Sequence, residues 1–280
     1  MLEARLDQGW STVRPVVTTT TLVTQDGVPI DTVHLPAPED VAASGLGSTG
    51  LAIVMAHGFT QSWQNHMVWP IAKRFNAYAG VVTFDFRGHG RSGGLSTLGD
   101  KEIYDLDVAV RFARGLGYER VATVGFSMGG SVVLRQAGLL GGTDAVVSVS
   151  GPGHWYFRGT KPMRRVHFAA ERRLGRAFAR QFLKTRIAAN GWNPLPLPPA
   201  DAAGRISPVP VLIVHGDGDP YFPQEHGHEL YDGAREPKDL WLLPGFGHAE
   251  RAMDDAMSDR IAAWVTKAVA SYGAAAEQSA

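Results

Sequence analysis

Apolar and polar positions follow two periodicities along this chain. The short runs Leu51–Met55, Val81–Asp85, Val121–Gly125, Ala145–Ser150 and Val209–His215 are apolar at nearly every position. Such runs lack a polar face and read as strands buried on both sides of a sheet. Between them lie longer stretches near Gln64–Asn76, Asp100–Gly115 and Gly129–Leu140 that fit helices. Strands alternating with helices predict an α/β fold: a mostly parallel, twisted sheet with right-handed crossovers and helices on both faces. Upstream, Val16–Val23 and Val28–His34 flank Gln25-Asp26-Gly27, the signature of an N-terminal antiparallel hairpin. A polar loop, Pro36–Gly50, follows it, and a short strand is expected at Asp239–Leu243.

The chemistry concentrates at the ends of these strands. Gly125-Phe126-Ser127-Met128-Gly129 reads Gly-x-Ser-x-Gly between a strand-like run and a helix-compatible one. An abrupt strand-to-helix turn there holds Ser127 in a strained conformation, and the flanking glycines make room for it. The helix N-terminus beneath favours developing negative charge. Acyl transfer also needs donors aimed at the oxyanion of a tetrahedral intermediate. The backbone N–H groups of Met128 and of Phe59, in His57-Gly58-Phe59-Thr60, stand where such donors belong. A serine nucleophile needs a base, and the base needs a carboxylate to fix its tautomer. Asp217-Gly218-Asp219 and Gly245-Phe246-Gly247-His248 each follow a predicted strand, so all these groups converge on one edge of a parallel sheet. Asp217 and Asp219 both remain open as the acid on spacing alone.

In these motifs, together with Asp85-Phe86-Arg87-Gly88-His89-Gly90-Arg91-Ser92, the chain resembles the α/β-hydrolase superfamily, and within it the esterase and monoacylglycerol-lipase-like branches. The resemblance runs from about residue 50 to the C-terminus in the family's order. It implies Ser127 as nucleophile, His248 as base and Asp219, which precedes Pro220, as the acid, with Phe59 and Met128 as oxyanion donors. It also implies a helical cap where the strand–helix rhythm stops, at residues 151–206, on a core domain made of residues 1–150 and 207–280. Trp155, Tyr156 and Phe222 are the candidate substrate-pocket residues, with Trp192 and Tyr221 as further aromatics near the catalytic edge.

The cap segment carries eleven Lys and Arg against Glu171 and Asp201, a formal +9 in a chain whose total is zero. Arg172, Arg176, Arg180 and Lys184 recur every fourth residue, as do Leu174, Phe178 and Phe182. On one helix these make opposite basic and apolar stripes. The apolar stripe is expected to face the core domain and the basic one water, or an anionic surface with which the protein associates peripherally.

Composition narrows the rest. Hydrophobic content of 44% and charged content of 19% describe a globular protein. Neutral total charge and the lack of a binding motif argue against nucleic acid as a partner. No apolar run approaches the ~18 residues of a membrane span. The start, Met1–Asp7, resembles no secretion signal, so a cytoplasmic location is expected. With no cysteine and no metal-spaced histidines, neither metal nor cofactor is expected; His57 and His89 read as loop supports, and His226 and His228 as surface-helix residues. Gly88–Gly94 lacks the Lys-Ser/Thr ending of a phosphate loop and reads as a structural turn. The expected activity is cofactor-independent serine hydrolysis of a small to medium apolar carboxylic ester. Thioester, amide or carbon–carbon bond hydrolysis with the same triad, or a non-catalytic ligand-binding role, are the alternatives.

Overall fold

The computed structural model describes residues 17–38 and 50–278. The N-terminal segment, Val16 of the expected hairpin and most of the loop expected at Pro36–Gly50 therefore lie outside the described residues. In chain order the strands are β1 (Thr18–Val23), β2 (Pro29–Leu35), β3 (Leu51–Ala56), β4 (Gly80–Phe84), β5 (Arg120–Phe126), β6 (Ala145–Val149), β7 (Val211–Gly216) and β8 (Lys238–Leu243). The helices are α1 (Val68–Asn76), α2 (Glu102–Gly115), α3 (Met128–Leu139), α4 (Lys161–Glu171), α5 (Arg173–Phe182), α6 (Pro199–Ala203), α7 (Glu225–Gly233) and α8 (Asp255–Gln278).

The strands form one sheet in the order β1-β2-β4-β3-β5-β6-β7-β8. The β1–β2 hairpin is antiparallel and β2 joins β4 antiparallel; every other pairing is parallel. The fully apolar strands are explained by the two faces they serve. Ala52, Val54 and Ala56 of β3 share one apolar core with α2, α3 and α7 residues such as Leu106, Val133 and Leu230. Leu51, Ile53 and Met55, alternating with them, share the other core with α1 and α8 residues such as Phe75, Ile261 and Val265. A period of two, apolar on both phases, thus buries one strand between two helical layers.

The chain runs from β3 outward to β4, then returns to the other side of β3 to lay down β5. The order of strand addition reverses between β3 and β5, and the crevice beyond their C-terminal ends is where open α/β sheets bind ligands. His57 follows β3, and Ser127 follows β5.

Between β6 and β7 the chain leaves the sheet for α4, α5 and α6. Here the structure corrects the expected stripes. The four-residue repeat does not lie on one helix: α4 stops at Glu171, Arg172 is extended (φ −99°, ψ 140°) and Lys184 lies beyond α5 with φ 49°. Nor does the apolar stripe face the core, since Leu174 is 80% exposed and Phe182 69%. The buried residues of α5 are Gly175 and Ala179. A Cβ on Gly175 would come within 2.4 Å of the Phe168 carbonyl oxygen, so glycine lets α5 lie against α4. Leu174 and Phe178 sit one position before this small-residue stripe, and Arg176 and Arg180 one after it. At 100° per residue, apolar and basic side chains therefore flank the contact instead of making it. At the far end of the same segment Ala200, Ala203 and Ile206 are core residues packed with α3 and α7.

Arg87, after β4, ties three elements together. Its guanidinium pairs with Asp105 of α2 and with Asp26 of the hairpin turn, both at 2.8 Å, and its side chain is only 3% exposed. Asp105 also accepts the Arg87 backbone N–H. Arg87→Leu strands the Asp105 carboxylate, and the expected loss in urea unfolding is about 3–5 kcal/mol, with part of it recovered in Arg87→Leu/Asp105→Leu. A single-variant loss under about 1 kcal/mol, as for an exposed ion pair, would contradict this.

Candidate functional site

The turn from β5 into α3 is set by steric exclusion. Ser127 has φ 52° and ψ −114°, a left-handed conformation that costs a non-glycine residue about 1–3 kcal/mol. A Cβ on Gly125 would lie 2.2 Å from the Gly129 carbonyl oxygen, and one on Gly129 would lie 2.3 Å from that of Ala56. Both glycines are needed for β5, α3 and β3 to approach this closely. The Ser127 N–H donates to Val149 O at 2.9 Å, holding the strained residue to β6.

His248 lies against this turn. Its Nε2 is 2.9 Å from Ser127 Oγ, and its Nδ1 is 2.7 Å from Asp219 Oδ2. The Asp219 side chain is completely buried, and its other oxygen accepts the backbone N–H groups of Tyr221 (2.7 Å) and Phe222 (3.0 Å). Those bonds leave Oδ2 to face the imidazole. The Tyr221 ring stacks on His248 with centroids 4.4 Å apart. The backbone after His248 is pinned as well: Ala249 N–H donates to Ser150 Oγ at 3.0 Å. Asp217, the competing carboxylate, is exposed and instead accepts the Gly245 N–H at 2.6 Å.

Phe59 and Met128 line the same cavity as Ser127. The Met128 N–H belongs to the first turn of α3, where no intrahelical carbonyl reaches it. Among the described residues the Phe59 N–H has no hydrogen-bond partner. The Phe59 loop is braced by two groups. His57 is fully buried, with Nδ1 2.7 Å from Gly58 O and Nε2 accepting the Phe86 N–H at 3.1 Å; burial pulls its pKa down to about 3. This neutral imidazole joins the β3 and β4 loops. Glu250 accepts the Gly58 N–H at 2.6 Å, and burial pushes its carboxyl above the usual range.

The cavity over Ser127 and His248 has a volume of about 700 Å³. Trp155, Tyr156 and Phe222 all line it, as do Tyr221 and Trp192. The Trp155 and Trp192 rings meet at 4.8 Å, and each indole N–H is satisfied by a backbone carbonyl, of Pro196 and Thr97 respectively. Their apolar faces can therefore turn to the cavity without stranding a polar atom. Leu174 and Phe178, from the stripe that was expected to pack on the core, line its outer part together with Phe168 of α4.

Sequence reading missed several neighbours. Glu250 stands only two residues beyond His248, a proximity that could have flagged it. His226, expected on a surface helix, is only 2% exposed, because α7 turns that face toward Phe157 and Phe222. His154, His226 and Glu229 bring three donor atoms within 4.8 Å of one another. Their sequence separation hides this. Within the group His154 Nδ1 is 2.6 Å from Glu229 and His226 accepts the Gly153 N–H. Among the described residues no helix is long and apolar enough to cross a membrane.

Comparisons with known proteins bear on the family and the fold. Residues 53–264 match the model of the Alpha/beta hydrolase family. The uncharacterized protein YfhR of Escherichia coli is 26% identical over 251 residues, covering 84% of this chain and 73% of its own. The esterase Pf2001 of Pyrococcus furiosus superposes with a TM-score of 0.69 at 20% identity, over 91% of this chain and 93% of its own. XC6422 of Xanthomonas campestris, described as an a/b serine hydrolase without lid, does so with a TM-score of 0.59 at 19% identity, over 91% and 94%.

The buried histidine behind the site gives a pH test. Burial pulls the His226 pKa down from 6.5 to about 4. Between those values the unfolded chain binds a proton that the folded chain does not, so stability rises with pH and is lost as pH falls from about 6.5 to about 4. The contribution is at most about 1.4 kcal/mol per pH unit. His226→Asn is expected to flatten the pH dependence of urea-unfolding stability by up to that slope. Parallel curves for parent and variant would show that this histidine is not held neutral.

Proposed function

The chain belongs to the alpha/beta hydrolase family, and on that footing we propose that it is a serine hydrolase acting through an acyl-enzyme on carboxylic esters with an apolar acyl or alcohol group. The observation that carries this reading is the continuous hydrogen-bonded line from Asp219 through His248 to Ser127, ending in an apolar cavity. An ionised carboxylate only accepts, so Asp219 keeps the imidazole proton on Nδ1 and leaves the Nε2 lone pair toward Ser127 Oγ. His248 then takes the serine proton as Oγ attacks the carbonyl, and returns it to the leaving alcohol. The acyl-enzyme is released by water activated at the same nitrogen. The N–H groups of Phe59 and Met128 receive the oxyanion, and Glu250 acts on that loop through Gly58.

The aromatic lining supports an apolar substrate over a charged one. The similarity in fold to Pf2001, named an esterase, and to XC6422, named a serine hydrolase, points the same way. No step calls on a metal or an organic cofactor. Helices α4 and α5 act as the cap of this site, supplying the outer wall of the cavity.

Ser127→Ala is expected to leave the fold intact and to lower kcat on a p-nitrophenyl ester by about a millionfold. Fluorophosphonate labelling of the parent, lost in the variant, reads the same group independently. An unlabelled parent would leave only a ligand-binding role. The two aspartates separate cleanly: Asp219→Asn is expected to cost about ten-thousandfold in kcat through the wrong imidazole tautomer, and Asp217→Asn far less. A larger effect at Asp217 would move the acid to that residue.

A further inference from the structure

The exposed face of the α4–α5 pair combines two properties that water does not favour together. Phe168 is 58% exposed, Leu174 80%, Phe178 54% and Phe182 69%, a cluster of large apolar side chains in two adjacent short helices. Around them Arg165, Arg172, Arg173, Arg180 and Lys184 are exposed, and among the described residues none of these forms an ion pair. Two other cations of the segment are engaged: Arg158 pairs with Glu171, and Arg176 donates to the Ala170 and Glu171 carbonyls at the end of α4. Unpaired cations and exposed apolar side chains thus share the same short stretch of chain.

We propose that this face docks on an anionic lipid surface and that the cavity takes its ester directly from that lipid phase. Exposed apolar side chains beside unpaired cations match acyl chains beneath anionic headgroups. A second copy of the chain is a poor occupant, because facing patches would bring together two segments of formal charge +9. Nucleic acid would meet the cations but leave the phenylalanines uncovered. Position decides between a lipid surface and an acidic protein. Arg165, Phe168, Leu174 and Phe178 also line the outer cavity, so whatever covers the patch covers its mouth. A protein there would stop substrate entry, whereas a lipid surface supplies it. The second half of the proposal rests on the hydrolase reading above; the docking half does not.

The test uses the full chain carrying Ser127→Ala, so that hydrolysis cannot alter the vesicles. Flotation is compared on vesicles of phosphatidylcholine alone and of phosphatidylcholine mixed equally with phosphatidylglycerol. Binding is expected on the anionic vesicles, weakening as salt is raised because exposed charges are screened. Arg172→Gln/Arg173→Gln/Arg180→Gln is expected to lower affinity by about a hundredfold, roughly fivefold for each charge removed. Phe182→Ser is expected to lower it without touching charge. Placed on the active parent, these substitutions leave turnover of a small soluble ester unchanged, since none of the four residues lines the cavity. They should slow hydrolysis of a long-chain ester carried in anionic vesicles. No binding by the parent sequence, equal binding to neutral vesicles, or variants that bind like the parent would overturn the docking. So would a dimer that Phe182→Ser converts to monomer, which assigns the face to a second copy. Docking with no hydrolysis of either soluble or vesicle-borne ester would overturn only the substrate half, and with it the hydrolase reading.

Discussion

The site depends on how closely β5, α3 and β3 approach one another around Ser127. Gly125 and Gly129 have no room for a Cβ, because the Gly129 and Ala56 carbonyls already occupy that space. That crowding forces the chain to turn at once from strand to helix, which places Ser127 at a positive φ. The same contact fixes the start of α3, and with it the Met128 N–H. It also sets the distance from Ser127 to the loop after β3, where Phe59 lies. One steric constraint thus positions the proposed nucleophile and both proposed oxyanion donors.

The remaining groups are held by backbone hydrogen bonds more than by their own packing. Asp219 is oriented by two N–H groups of its own turn, and that turn also carries Tyr221 onto the face of His248. His57 and Glu250 brace the Phe59 loop from two sides, one as a neutral imidazole and one as a buried carboxyl. His57 was expected to support a loop, and it does; Glu250 was not singled out, because its work is done through the backbone of Gly58.

The helices over the cavity follow a different logic. They pack on one another at Gly175, and of α5 only Gly175 and Ala179 are buried, so its large apolar residues stay outside the contact. A stripe that would ordinarily be core becomes a wall and rim of the cavity.

The sequence by itself determined the sheet, its hairpin, and the turn at Ser127, because each rests on local patterning: fully apolar strands, Asp26-Gly27, and Gly-x-Ser-x-Gly between a strand and a helix. It also carried the family, through motifs whose order matches strand ends along one edge. The resemblance favoured Asp219 over Asp217, two residues away, but only the tertiary structure shows which carboxylate faces the imidazole of His248. It alone buried His226 and gathered it with His154 and Glu229, residues far apart in the chain. It reversed the expected facing of Leu174, Phe178 and Phe182. Helical spacing specifies which residues share a face, but not which face meets a neighbour. That is decided by how closely two helices can approach, and here glycine and alanine approach more closely than leucine and phenylalanine.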